Sequence, residues 1–353
     1  MPVVRTVRLG LLGFGSVGRA FAALVAAEGD RLARERGVRL VVTGVSTRRF
    51  GSRTDDRGLD LHALAHAAEA AAVHGPAASP EGFATSCPAD VIVETMPLEP
   101  FTGHTAVAAT RAALLAGRSV VSANKGPVAH ALRGLAALAA ERGVAYRYES
   151  AVADGLPVFN LLTCCLPGAD VTGFSGLVSS TANVVLHELS EGRSIATAVA
   201  LAQQLGITEA DPSYDLDGWD AAVKLAALSA AVWDRPLELD GIERQVVDAG
   251  SAAAATDARG RGRRLVSLAE LTRGDAGGEP VARVRLVELG PEHALFALTG
   301  TSLGLQITSR LMCPVTVSSL QPAVRDTAYG LLADVLSLPP VTPPETREHR
   351  PLP

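Results

Sequence analysis

A run of apolar and β-branched residues from Arg5 to Gly13 passes straight into Gly13-Phe14-Gly15-Ser16-Val17-Gly18, and an Ala/Leu-rich helical pattern continues to about Glu28. G-x-G-x-x-G placed after a strand and at the opening of a helix admits few folds. The first glycine makes a tight turn, the second lets a pyrophosphate approach the backbone, and the third lets helix and strand pack closely. The helix N-terminus then faces the negative charge. Gly13, Gly15, Ser16, Val17 and Gly18 are therefore expected to cradle a dinucleotide. A second strand, Leu40–Val45, is expected to end beside the adenosine ribose, where an NAD site usually offers Asp or Glu. Here the chain reads Ser46-Thr47-Arg48-Arg49. Thr47, Arg48 and Arg49 suit a 2′-phosphate, which favours NADP, with NAD as the alternative. A merely basic exposed loop in an arginine-rich chain is the competing reading.

Strand-like Asp90–Glu94, Ser119–Val121 and Val144–Tyr148 alternate with helix-like Thr102–Ala116 and Pro127–Arg142. Such alternation predicts a doubly wound α/β domain, a parallel sheet with helices on both faces. Glu94-Thr95-Met96-Pro97 and Ser122-Ala123-Asn124-Lys125 then fall at carboxyl ends of strands, where ligands bind, so Thr95, Ser122 and Asn124 join the expected cofactor site. Arg48–Gly58 reads as a loop and Ala63–Val73 as a surface helix.

At roughly 150 residues per domain, 353 residues predict two domains with ample core. With 48% hydrophobic and 20% charged residues, general disorder is excluded. A net charge of -5 gives no footprint for nucleic acid or an acidic membrane. Met1–Arg5 has no apolar signal region and no apolar run reaches spanning length, so a cytosolic protein is expected. Cys87, Cys164, Cys165 and Cys313 lack metal spacing, and Cys164-Cys165 read as reduced core thiols. His62, His66, His74, His104 and His130 form no ligand grouping.

Lysine is nearly absent. Of 32 basic Lys and Arg residues only Lys125 and Lys224 are lysine. Arginine keeps its proton at any ordinary pH, whereas burial and neighbours can tune a lysine to exchange one with a reacting oxygen. Lys125 closes an apolar strand-like run, and Lys224 is the one charge in Ala221-Ala222-Val223-Lys224-Leu225-Ala226-Ala227-Leu228. Surface leftovers of a codon bias would not need apolar flanks. Five acids lie between Glu209 and Asp220. Asp217 is the expected N-cap of the following helix, with Asp220 in its first turn. Asp220 and Lys224, four apart, share a helix face, and a desolvated ammonium there requires a partner. Glu209, Asp215 and Asp220 are the available carboxylates, and an amino-acid substrate would need such groups for its own ammonium.

Glu209-Ala210-Asp211-Pro212, Asp215 and Gly218-Trp219-Asp220-Ala221-Ala222-Val223-Lys224-Leu225 closely resemble the signature of homoserine dehydrogenases. So do Ser122-Ala123-Asn124-Lys125-Gly126-Pro127, Glu149-Ser150-Ala151-Val152 through Gly155-Leu156-Pro157-Val158, and the glycine cradle. The likeness runs to about Leu338 and implies the short monofunctional type without an aspartokinase module or an ACT domain. It implies a Rossmann-type nucleotide domain (1–148) and an α+β substrate and dimerisation domain with a mixed sheet (149–318). A helix (319–338) would return to the nucleotide domain, followed by a disordered tail (339–353). The implied reaction is the reversible reduction of L-aspartate 4-semialdehyde to L-homoserine by a nicotinamide cofactor in a homodimer. Lys224 would be the general acid/base and Lys125 its electrostatic partner, or the reverse, with Asp220 orienting them. Glu209, Asp215, Thr181, Ser180 and Asp154 would line the substrate site. The backbone of Glu149, Val152, Asp154 and Leu156 would hold Na+ or K+.

Three features depart from the family. Ser180 stands for a glycine, Asp154 stands where glycine is common, and Ser319-Leu320-Gln321-Pro322-Ala323 replaces a glycine-rich loop. They leave open a related dehydrogenase of another hydroxy amino acid or semialdehyde, and a non-catalytic NADP-binding paralogue. Retention of both lysines with Glu209 and Asp220 argues against the latter. In the second half, Val171–Ser179, Val281–Leu289, Ala294–Thr299 and Leu305–Ser309 read as strands, and Asn183–Ser190, Ile195–Leu205 and Thr327–Leu338 as helices. Asp248–Arg264, low in complexity, reads as a mobile loop.

Overall fold

The computed structural model describes residues 4–66, 73, 75–208, 211–274 and 278–339. Glu209, most of the second half of the expected 63–73 helix and nearly all of the expected disordered tail lie outside these residues. The first sheet is built from β1 (Arg5–Leu12), β2 (Val38–Thr47), β3 (Gly51–Thr54), β4 (Val91–Glu94), β5 (Ser119–Ser122) and β6 (Tyr146–Arg147) in the order β3-β2-β1-β4-β5-β6. Every pairing is parallel except β2 with β3. The sheet grows one way from β1 to β3 and the other from β4 to β6, so the reversal between β1 and β4 opens a crevice at their carboxyl ends. β3 corrects the expected loop at Arg48–Gly58. Gly51, at φ 80°, lets the chain turn back, and Ser46 and Ser52 hydroxyls meet at 2.7 Å across the hairpin. α1 (Ser16–Arg36) ends at left-handed Gly37, which caps the Leu32 carbonyl. α2 (Leu61–His66), α3 (Pro80–Ser86), α4 (His104–Leu115) and α5 (Lys125–Arg142) complete this half.

The second sheet has the order β12-β11-β7-β9-β10-β8, from β7 (Val171–Leu177), β8 (Glu243–Arg244), β9 (Arg264–Thr272), β10 (Val281–Leu289), β11 (Leu303–Ser309) and β12 (Val315–Ser319). Only β8 with β10 is parallel. Its helices are α6 (Ser180–Ser190), α7 (Ile195–Gln204), α8 (Trp219–Trp233) and α9 (Ser251–Gly260). α9 corrects the mobile loop expected over Asp248–Arg264. An alanine run is a strong helix former, and it buries Ala255 with Val185, Leu189 and Val247. β9 directly follows and is central to the sheet. The expected strand Ala294–Thr299 is instead a series of turns that tuck Leu295 and Leu298 against Leu177 and Val266. Cys164 and Cys165 are exposed, not core thiols, on a π-helical turn that buries none of its residues, and only Cys87 of the four is buried.

α8 packs between α5 and the second sheet, so one apolar cluster runs from Leu12 and Val120 through Leu135 and Leu225 to Phe174 and Leu305. On the other side of the first sheet, α10 (Val324–Ser337) lies against α1 and buries Ala328, Leu331 and Val335 with Phe21 and Val25. No helix among the described residues is long and apolar enough to cross a membrane.

α10 also carries Asp334, 1% exposed, which accepts from the Glu149 backbone N–H at 2.8 Å. Burial pushes its carboxyl up to about 6, and the neighbouring Glu149 carboxylate adds to the rise. The fold thus prefers the protonated acid. Its stabilising contribution is complete below about pH 4, the unfolded value, and lost as pH rises through about 6. Asp334→Asn keeps an acceptor for Glu149 without the charge. The variant is expected to gain about 2 kcal/mol of stability over the native chain at pH 7.5 and nothing at pH 4. Calorimetric Tm values across that range check it, and parallel curves for the two proteins would refute it.

Candidate active site

Gly13 ends β1 at φ 98°, and a Cβ there would lie 2.6 Å from the Thr95 backbone. A Cβ on Gly18 would lie 2.7 Å from the Gly13 carbonyl, which also accepts the Thr95 hydroxyl at 3.0 Å. Gly15, the N-cap of α1, offers no side-chain cap and has nothing within 4 Å of its Cβ position. Two glycines are thus required by packing and the third by open space, the arrangement that suits a pyrophosphate on bare helix N–H groups. Ser16 and Val17 open the helix beside it. At the end of β2 the Thr47 hydroxyl accepts from Phe50 N–H at 3.0 Å, Arg48 is exposed, and Arg49 lies 5.2 Å over the Phe50 ring.

A cavity of about 200 Å³ adjoins this cradle, lined by Val17, Thr95, Met96, Lys125, Asp154 and Lys224 among others. A larger hollow of about 490 Å³, against Phe159, Trp233 and Arg273, touches neither lysine nor the glycines. Chemistry, not size, singles out the smaller one, where titratable groups converge beside a nucleotide cradle.

Asp220 joins the two halves of the molecule there. Its Oδ1 lies 3.2 Å from Lys125 Nζ and its Oδ2 2.8 Å from Lys224 Nζ, with all three side chains under one-fifth exposed. Lys125 is the first residue of α5, whose N-cap Asn124 accepts from Gly126 N–H at 3.0 Å. Asp220 lies in the first turn of α8, where the dipole favours a carboxylate. The cap of α8 is Gly218 at φ 77°, not the expected Asp217, because the chain turns there through the left-handed region that a side-chain cap does not occupy. Trp219 fixes the turn, stacked 3.4 Å under the Arg244 guanidinium and edge-on to Phe101. Burial alone would raise the Asp220 carboxyl, but the two ammonium charges outweigh it and hold it at about 2. Burial likewise disfavours charge on Lys224, yet Asp220 holds its ammonium above the ordinary lysine value, with help from Asp154 and Asp215. Lys224 also donates to the Val178 carbonyl at 2.5 Å.

Asp215 accepts from Thr181 at 3.0 Å and from Thr208 at 2.8 Å, both at Oδ2. Burial and then the Asp220 charge raise its carboxyl. Thr181 thus supports Asp215, and Thr208, absent from the sequence reading, does the same from the chain preceding Glu209. Ser180 donates to the Thr301 carbonyl at 3.0 Å. Asp154 adopts φ 53° and accepts from Thr327 at 3.0 Å, so its carboxylate is tied to α10. Both oxygens of Glu149 accept N–H groups of Phe159 and Asn160 at 2.7 Å. Val152 and Leu156 lie in the same buried segment. Met96, Ser150 and Thr327 also line the cavity, although none of them was singled out from the sequence as a site residue.

Residues 157–336 match the family described as homoserine dehydrogenase. The chain is 34% identical over 337 residues to an NAD(+)-dependent homoserine dehydrogenase of Pseudomonas canavaninivorans, covering 94% of this chain and 96% of that protein. It is 32% identical to a homoserine dehydrogenase of Mycobacterium tuberculosis over 84% of this chain, and spans 64% of that longer protein. A hyperthermophilic archaeal homoserine dehydrogenase in complex with NADPH superposes with a TM-score of 0.76 at 26% identity, covering 94% and 97% of the two chains.

The glycines separate fold from binding. Gly15→Ala is expected to keep the native Tm and to weaken NAD(P)H binding by roughly tenfold or more, since its Cβ enters only the space left for the ligand. Gly13→Ala, forced against backbone at a positive φ, is expected to lower Tm. Thermal melts with fluorescence titration of NADPH check the pair. Equal Tm losses in both would contradict the assignment.

Proposed function

The chain belongs to the homoserine dehydrogenase family, and we propose that it interconverts L-homoserine and L-aspartate 4-semialdehyde with NAD(P). The observation that carries the reading is the Lys125–Asp220–Lys224 bridge on a cavity that opens beside the glycine cradle. The bound nicotinamide supplies or accepts the hydride, held by Gly13, Gly15, Ser16, Val17 and Gly18 with Thr95 at the neighbouring strand end. Ser122 and Asn124, expected to join them, are buried and hydrogen-bonded to Glu94 beneath the site. What remains for the protein is the oxygen. During reduction, negative charge grows on the carbonyl oxygen, and a fixed ammonium beside it lowers the barrier. Lys224 has three N–H donors. One goes to Asp220 and one to Val178, which leaves the third for the substrate oxygen. Lys224 gives its proton to the alkoxide and takes it back in oxidation, Lys125 adds positive charge, and Asp220 keeps both ammoniums in place. Asp215 and Glu209 would hold the substrate ammonium.

Two of the three departures from the family support this reading over another substrate. The Ser180 hydroxyl is committed to Thr301 and the Asp154 carboxylate to Thr327. For the cofactor, the absence of a carboxylate in Ser46-Thr47-Arg48-Arg49 and the exposed Arg48 support NADP over NAD. A Na+ or K+ ion on Glu149–Leu156 would use carbonyl oxygens, since the Glu149 carboxylate is taken by two N–H groups. Exposed Leu311 and Met312 at the β11–β12 turn support a homodimer built on the second sheet.

Lys224→Ala is expected to lower kcat for homoserine oxidation roughly 10²- to 10⁴-fold, the usual worth of a positioned acid/base. Because Asp220 holds Lys224 above the ordinary lysine value, the neutral amine that oxidation needs appears only in alkali. The native rate should therefore climb steadily from pH 7 to pH 10, and the variant's should not. Steady-state rates with NADP and NAD across that range test this. Tight NADPH binding without turnover of homoserine would sink it.

A further inference from the structure

Glu94 ends β4 in a run of otherwise apolar residues, Val91-Ile92-Val93, and is completely buried. A buried carboxyl without a counter-ion is costly unless donors surround it. Three do. Ser122 Oγ donates at 2.6 Å, Met96 N–H at 2.8 Å and Asn124 Nδ2 at 3.3 Å. Burial pushes the carboxyl above its usual range, and these same three donors pull against that. The contacts do not stop at Glu94. Ser122 Oγ in turn accepts from Asn124 N–H at 2.9 Å, and Asn124 Nδ2 also reaches the Met96 carbonyl at 3.4 Å. Asn124 Oδ1 then caps α5 through Gly126 N–H, directly after Lys125. One buried acid therefore ties the ends of β4 and β5 to the helix terminus that presents Lys125 to Asp220.

We propose that Glu94 is a positioning residue, whose carboxyl acts through Ser122 and Asn124 to hold Lys125 at the reacting centre. The proposal rests on the dehydrogenase reading for its kinetic consequence and not for its geometry. A lysine at a helix N-terminus is opposed by the helix dipole; Asp220 holds its ammonium, and the fixed turn before it sets the backbone from which Lys125 reaches Asp220. A group that must meet a substrate within about 1 Å loses on the order of a hundredfold when it drifts that far.

The test uses the full chain and the fact that it holds two lysines. Protein grown on isotope-labelled lysine gives two side-chain NMR signals, assigned with Lys125→Arg. In Glu94→Gln the Lys125 signal is expected to move, and that of Lys224, reached only through the shared Asp220, to move much less, because the amide cannot accept all three donors. Homoserine kcat is expected to fall roughly 10- to 100-fold, with KM and NADPH affinity held within about threefold, the pattern of lost transition-state positioning. Asn124→Ala should reproduce both effects, and the double variant should be no worse than either single one, as for members of one network. A folded Glu94→Gln with native kcat and an unmoved Lys125 signal overturns the proposal. So does a kcat loss in which the Lys224 signal moves as much as that of Lys125. If Glu94→Gln does not fold, Asn124→Ala decides on the same two readouts. If the native chain turns over no homoserine, the dehydrogenase reading fails, and the lysine signals still decide the role of Glu94.

Discussion

Everything in the cleft depends on one carboxylate serving two ammoniums. Lys125 sits at the positive end of α5, where a cation is disfavoured, and Lys224 is enclosed within α8. Neither position is stable for a charge by itself. Asp220, in the first turn of α8, is favoured by its own helix and reaches both. Leaving one of these charges unpaired in a buried site costs about 3–5 kcal/mol, so the ion triad fixes how α5 meets α8 while the apolar contacts beneath it supply the stability. The same contact that joins the two halves brings both lysines to one end of the cleft, so assembling the fold and assembling the site are one event.

Much of this was legible in the sequence because it rests on residues with narrow uses. Glycines at 13, 15 and 18, and lysines at 125 and 224, each occupy positions that few alternatives could fill. The alternation of strands and helices gave the first sheet apart from β3, whose polar Gly51-Ser52-Arg53-Thr54 carries no strand pattern and pairs only because Gly51 turns the chain back. The second sheet was harder. The alanine-rich stretch before β9 looked like low complexity, although alanine repeats are what a helix prefers, and missing α9 hid the strand behind it. Ala294–Thr299 had the apolar spacing of a strand, yet that spacing serves a tucked turn. Asp217 had the chemistry of a cap, but Gly218 had the backbone freedom that the entry to α8 demanded.

Side-chain networks left the faintest trace. Glu94 is a single acid at the end of an apolar strand, and no spacing in the chain announces that Ser122 and Asn124 converge on it from the next strand. Thr208 and Thr181 reach one oxygen of Asp215 from separate segments for the same reason. Such groups come together through strand order or helix packing, which composition and periodicity do not encode.

The apolar cluster shared by α5, α8 and the two sheets bears on how such a chain could change over evolutionary time. A nucleotide module that ended in a polar surface could be traded between proteins like a cartridge. Here, cutting the chain after β6 would bare Leu132, Leu135 and Val128 on one side and the apolar length of α8 on the other. Neither fragment would have a closed surface to show to water. The lineage is therefore bound to inherit the two sheets together, and novelty is confined to the periphery, in surface loops outside this shared interior.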